Sequence, residues 1–244
     1  MTIILFFAVL KLLKINNWQE LGFTTNAKQF FIDAGKGIGF GVLIMLPVIA
    51  GLLLTENRVI DTGWEVTANN ILSLFLTALF AGVLIALIEE TLFRGAMLTA
   101  IDKYGSVFFA ILASSFIYAL VHFLQPSDDI NSQVLNWGSG FALLKDALNP
   151  LIQVKFIFDS FIALFLAGAL LAIVRLRRNR IAYCIGIHAG WVLAIKVFKR
   201  VTDSNAYSDY AFLTGSYDKV IGYLAAVCIA VFIIFLLKYM KNSN

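Results

Sequence analysis

The sequence predicts an all-α fold, a polytopic transmembrane helical bundle with about six to seven membrane helices. The first observation is composition: of 244 residues, 60% are hydrophobic and 14% charged, against about a quarter charged in a soluble domain. The second is that several apolar runs approach the ~20 residues needed to cross a hydrocarbon core about 30 Å thick. The third is that basic residues gather at the ends of those runs, where they meet lipid headgroups and set orientation. The net charge of +4 therefore reads as topogenic, and nucleic acid is not an expected partner. Residues 1–244 read as a single membrane domain, without internal repeat, low-complexity tract or soluble second domain.

Taken in order, residues 2–13 are apolar but interrupted by Lys11, and no small-residue cleavage site follows them. They predict a short interfacial or partial helix rather than a signal peptide. Six spans follow, at about 36–54, 71–88 with a helical extension, 105–124, 156–175, 181–198 and 219–238. The first opens on Gly35-Lys-Gly-Ile-Gly-Phe-Gly41. That string lacks the GxGxxG spacing and the Lys-Ser/Thr ending of phosphate-binding loops, so its glycines predict close helix packing. Between the third and fourth spans lies the longest non-apolar stretch, Gln125 to Lys155, with Pro126 and Pro150 near its ends and an amphipathic middle, Phe141 to Leu148. It predicts a surface helix or lid.

Orientation rests on Arg175-Leu-Arg-Arg-Asn-Arg180, which joins two spans through four arginines and is expected on the cytoplasmic side. Counting outward from it, Lys11, Lys14, Lys28, Lys36, Lys103, Lys238 and Lys241 fall on the same side, and the acidic loop Glu56–Glu65 on the other. The two cysteines, Cys184 and Cys228, lie inside apolar segments without metal-type spacing, as small core residues do.

The chemistry-bearing string is Leu84-Ile-Ala-Leu-Ile-Glu-Glu-Thr-Leu-Phe-Arg-Gly95. Ionisable groups at that depth cost about 2.5–3.5 kcal/mol each on insertion scales, so they pair and they serve function or structure. Glu90 and Arg94 are four apart, on one helical face and in the order that favours an ion pair. Glu89 is rotated by about 100° and faces a different neighbour. The two histidines, His122 and His188, also sit in apolar segments. With a helical turn at Asp102–Gly105, Glu90 lies about 18 Å and His122 about 25 Å from it, at similar depths on antiparallel neighbours. His188 lies only about 12 Å from the arginine loop, so reaching that depth requires tilt, a deeper loop or an irregular helix start. Two glutamates, an arginine and two histidines on three helices suit water activation by a carboxylate, or a divalent metal such as zinc held by carboxylate and imidazole. No HExxH or cysteine cluster is present, and the spacing leaves both open.

These residues resemble the CPBP (CAAX protease and bacteriocin-processing, or Abi) family of intramembrane peptidases. Its pattern is EExxxR on one transmembrane helix, an aromatic-xxx-His on the next, and a later His-xxx-Asn/Asp. Glu89-Glu-Thr-Leu-Phe-Arg94 matches the first part, and Tyr118-Ala-Leu-Val-His122 the second, with tyrosine where phenylalanine is usual. His188-Ala-Gly-Trp-Val192 begins the third and departs from it, because Val192 stands at the amide or carboxylate position. The resemblance covers roughly residues 70–200, the core that carries the motifs.

The resemblance implies that Glu89 activates water with help from His122, that Glu90 and Arg94 hold the site together, and that His188 stabilises the oxyanion. The missing companion of His188 would be replaced by Trp191 or Lys196, or the chain would be a slow or non-catalytic member. It further implies a bacterial inner-membrane protein cleaving a hydrophobic or lipidated, CAAX-like peptide that arrives from the bilayer. Two other readings stand beside it. One is a non-catalytic relative acting as an immunity or binding protein. The other is a small proton-coupled transporter, which the sequence favours less, since it lacks inverted repeats and paired broken helices.

Overall fold

In membrane-embedded chain every backbone N–H and C=O must be satisfied internally, and a sequence this apolar meets that demand with helices. The structure, a computed structural model, describes residues 11, 15, 17–124, 138–152 and 154–241. Apart from Lys11, the N-terminal stretch 2–13 lies outside the described residues, as do Lys14 and residues 125–137 with Pro126. Among the described residues the α-helices are α1 (Ala27–Leu54), α2 (Ala68–Glu90), α3 (Leu98–Tyr104), α4 (Val107–Val121), α5 (Ser139–Ile152), α6 (Val154–Arg178), α7 (Ala182–Val201) and α8 (Tyr223–Lys241). Polar caps set three of the starts: Asn26, Thr67 and Ser106 accept from the backbone N–H of Gln29, Asn70 and Phe109.

Among the described residues four helical segments are long and apolar enough to cross a membrane: α1, the 37-residue run Ala68–Tyr104, Ile157–Arg178 and α7. The run Ala68–Tyr104 joins α2 to α3 through a π-helical turn, Thr91–Met97. The apolar helices α4 and α8 are shorter. Helix α4 has 15 residues, about 22 Å at the α-helical rise, less than the expected span 105–124, because the helix ends at His122. The amphipathic stretch Phe141–Leu148 lies within α5, which buries none of its residues and contains Pro150. Phe31, Phe80 and Phe108 are each 72% exposed, an outer surface that lipid rather than water tolerates.

Helix α7 is the central element. Every residue from Ala182 to Trp191 is buried, and the helix packs most extensively against α1 and α2. Small residues make the approach to α1 possible. A Cβ at Gly37 would lie 2.6 Å from the Tyr183 carbonyl oxygen, and one at Gly41, Gly186 or Gly190 would collide with the backbone of Ile187, Ala34 or Ile38. The glycine string at the start of α1 therefore divides: Gly37 and Gly41 form the contact, whereas Gly35 and Gly39 face open space. Overpacking costs about 1–3 kcal/mol or more. Gly41→Val and Gly190→Val are thus expected to lower the thermal unfolding temperature in detergent, with Gly35→Ala and Gly39→Ala unchanged. Four variants melting alike would contradict this interface.

The start of α7 lies below the molecular surface. Residues 17–23 cover the α6–α7 turn: Ile181 N donates to the Gly22 carbonyl at 2.9 Å, and buried Arg175 donates to the Glu20 carbonyl at 3.1 Å. Arg180 pairs with Asp33 at 2.9 Å and Arg178 lies over the Tyr183 ring at 4.8 Å, so three of the four arginines of this turn make internal contacts. The other end of α7 continues into β2 (Thr202–Ser204), which pairs antiparallel with β1 (Arg58–Ile60).

Candidate active site

The glutamates close α2 and the arginine sits in the π turn. A π turn widens the helix locally and is a common device at functional sites. Here it leaves Glu90 and Arg94 on the same side. Arg94 donates to Glu90 Oε1 at 3.2 Å and to the Gly168 carbonyl at 3.2 Å, and its guanidinium lies 4.2 Å from the centre of the Tyr118 ring. Glu90 is 0% and Arg94 1% exposed. Such a pair needs its hydrogen bonds filled to offset desolvation. Gly168 permits one of them, since a Cβ there would meet Ser115 Cα at 3.0 Å and push α6 from α4.

The histidines converge on the glutamates. His188 Nδ1 is 2.9 Å from Glu90 Oε1, and its Nε2 is 3.9 Å from Glu89 Oε2. His122 Nδ1 is 2.7 Å from the Tyr118 carbonyl oxygen, and its Nε2 is 3.8 Å from the same Glu89 oxygen. A carbonyl only accepts, so His122 carries a proton on Nδ1 and turns Nε2 toward Glu89. His188 donates from Nδ1 to the carboxylate of Glu90. His188 reaches this depth because α7 begins beneath residues 17–23, the deeper start that its position in sequence requires.

Tyr118 fills the centre. Its ring meets His122 at 4.6 Å and His188 at 6.3 Å between centroids, both edge-on. Trp191 lies beside His188 at 6.5 Å, and its indole N–H is buried with no partner among the described residues. Glu89 Oε2 is likewise buried without a direct hydrogen bond, and the gaps to the two imidazoles are too long for one. Buried polar atoms left in this state are the exception in folded proteins and mark places where water or a reacting group binds.

Glu89, Tyr118, His122, His188, Trp191 and Val192 all line one cavity of about 550 Å³. Sequence reasoning did not find Tyr217, which also lines it and lies edge-on to His122 with centroids 6.1 Å apart. The loop that presents Tyr217 is tied to α6: Ser216 N and Oγ donate to the Asp159 carboxylate, and Tyr217 N donates to Ser160 Oγ. Nothing in the local sequence pattern signals that long-range docking.

A family model for the type II CAAX prenyl endopeptidase Rce1-like proteins matches residues 70–194, just over half of the chain. The chain belongs to the Rce1-like family. That match takes in both glutamates, Arg94, both histidines and Val192. No curated protein and no solved structure matches the chain.

The donor types in this Rce1-like site suit zinc, since each imidazole is oriented through Nδ1 by an oxygen, as metal-bound histidines are. Their spacing does not: among the described residues no group of three or more His, Cys, Asp or Glu side chains is arranged to hold a metal ion. The arrangement offers a place for a water molecule against one carboxylate oxygen and two imidazole nitrogens.

Proposed function

We propose that this Rce1-like protein hydrolyses a peptide bond in a prenylated or otherwise hydrophobic peptide, with Glu89 activating water. The observation that carries the reading is the convergence of both Nε2 atoms on one buried, unbonded oxygen of Glu89. Water held between Glu89 and His122 gives a proton to Glu89 as its oxygen attacks the carbonyl carbon. His188, as an imidazolium paired through Nδ1 with Glu90, directs Nε2–H at the oxyanion, the interaction that strengthens as charge develops. Collapse of the intermediate breaks the C–N bond, and Glu89 returns the proton to the leaving amine. Arg94 pairs with Glu90 and so holds the carboxylate that orients His188. The Trp191 indole N–H is a further donor at the cavity wall, in place of an amide or carboxylate at Val192.

We place the Arg175–Arg180 turn on the cytoplasmic side of a bacterial inner membrane. Substrate reaches the site laterally from the bilayer. Val192 also supports a second reading, a family member that binds its peptide without turnover, since its side chain offers the cavity no hydrogen bond. The deciding experiment incubates purified protein with S-farnesyl peptides and follows products by mass spectrometry, with metal analysis and chelator treatment in parallel. Cleavage that persists in chelator without stoichiometric metal is the expected result. Binding without cleavage would favour the second reading, and loss of cleavage on chelation reversed by zinc would overturn the metal-free mechanism.

A further inference from the structure

The cavity lined by Glu89, His122 and His188 is lined also by Lys196, Lys199 and Arg200, which lie about two to three turns further along α7. All six line the same space, and four of them belong to α7. Positions 188, 192, 196 and 199 follow the three-and-four spacing that keeps residues on one helical face. Lys199 and Arg200 fall in the last turn of α7, where cations complement the helix dipole. Lys196 lies before that turn, so the dipole does not account for it. None of the three has a salt-bridge partner among the described residues. The other acid lining the cavity, Asp218, is committed to its own loop, accepting from Val220 N and Ile221 N through Oδ1.

We infer that Lys196 and Lys199 form an anion subsite that binds the free C-terminal carboxylate of the peptide substrate. Along α7 Lys196 is about 12 Å and Lys199 about 16 Å from His188. An extended chain advances about 3.3 Å per residue, and a lysine side chain reaches several ångströms to either side of its Cα. The lysines therefore read a carboxylate about two to six residues beyond the scissile bond. An acidic end group suits this place because the place is lined by cations that have no salt-bridge partner among the described residues. The inference rests on the peptidase reading for the identity of the ligand.

The experiment measures binding, so that it stands apart from turnover. Fluorescent S-farnesyl-cysteine peptides carrying two, four, six or eight residues after the cysteine are prepared as free acids and as C-terminal amides. Affinities are measured for Glu89→Gln protein in phosphatidylcholine nanodiscs, alone and combined with Lys196→Gln/Lys199→Gln or Lys196→Arg/Lys199→Arg. The free acid is expected to bind about 10-fold more tightly than the amide for at least one of the three shorter peptides, a preference worth about 1.4 kcal/mol. The preference should be absent for the eight-residue peptide, fall below about 2-fold in the glutamine variant and return in the arginine variant. Equal affinities for acid and amide, including equal absence of binding, overturn the subsite, as does a preference that survives the glutamine substitutions. Acid preference that appears only in nanodiscs containing phosphatidylglycerol assigns the lysines to lipid headgroups and also overturns it. Wild-type protein that shows the acid preference but cleaves nothing overturns the peptidase reading and leaves the subsite standing.

Discussion

Glu89→Gln is expected to lower the rate of prenyl-peptide cleavage by at least about 100-fold, and by up to about 10⁴-fold, the range that a positioned general base supplies. The substitution keeps size and shape but removes the group that accepts the proton of water. It should leave the fold intact, because the Glu89 side chain is 28% exposed at the cavity wall and makes no direct hydrogen bond through Oε2. Thermal unfolding within a few degrees of wild type, together with the rate loss, separates chemistry from stability. A variant that retains a tenth or more of wild-type activity removes Glu89 from the mechanism.

Arg94→Met is expected to destabilise the protein by about 3–5 kcal/mol, the cost of leaving a buried charge without its partner. The guanidinium satisfies Glu90, caps the Gly168 carbonyl and lies over Tyr118. Removing it strands a carboxylate that is 0% exposed. Adding Glu90→Gln neutralises that charge and should recover part of the lost stability in detergent melts. Activity should not return, since His188 then lacks the carboxylate that holds its Nδ1. An Arg94→Met protein that melts with wild type would show that the pair does not anchor the site.

The helical class, the neighbourhood of the spans and the pairing of Glu90 with Arg94 were legible because each is local. Apolar length marks a helix, and a four-residue spacing marks a shared face. The π turn was not legible, since a shift of helical phase is invisible where nearly every side chain is apolar. The early end of α4 at His122 was missed for a related reason, and the deeper start of α7 stood only as one of three options. Both depend on packing by distant segments, residues 17–23 in the case of α7. Tyr217 was missed because its place comes from hydrogen bonds to Asp159 and Ser160, 57 positions earlier in the chain. The short strands Arg58–Ile60 and Thr202–Ser204 carry too little periodicity to distinguish them from loop.

Glu90 and Arg94 share one helical segment, and that has a consequence for biogenesis. Their attraction needs no other helix, so it forms while the segment Ala68–Tyr104 enters the bilayer alone. A separate glutamate and arginine would each meet the full insertion penalty, whereas an i,i+4 pair enters closer to neutrality. His188 arrives later in translation, on α7, and docks onto a carboxylate already held in place. The order of synthesis therefore matches the order in which the site can be assembled.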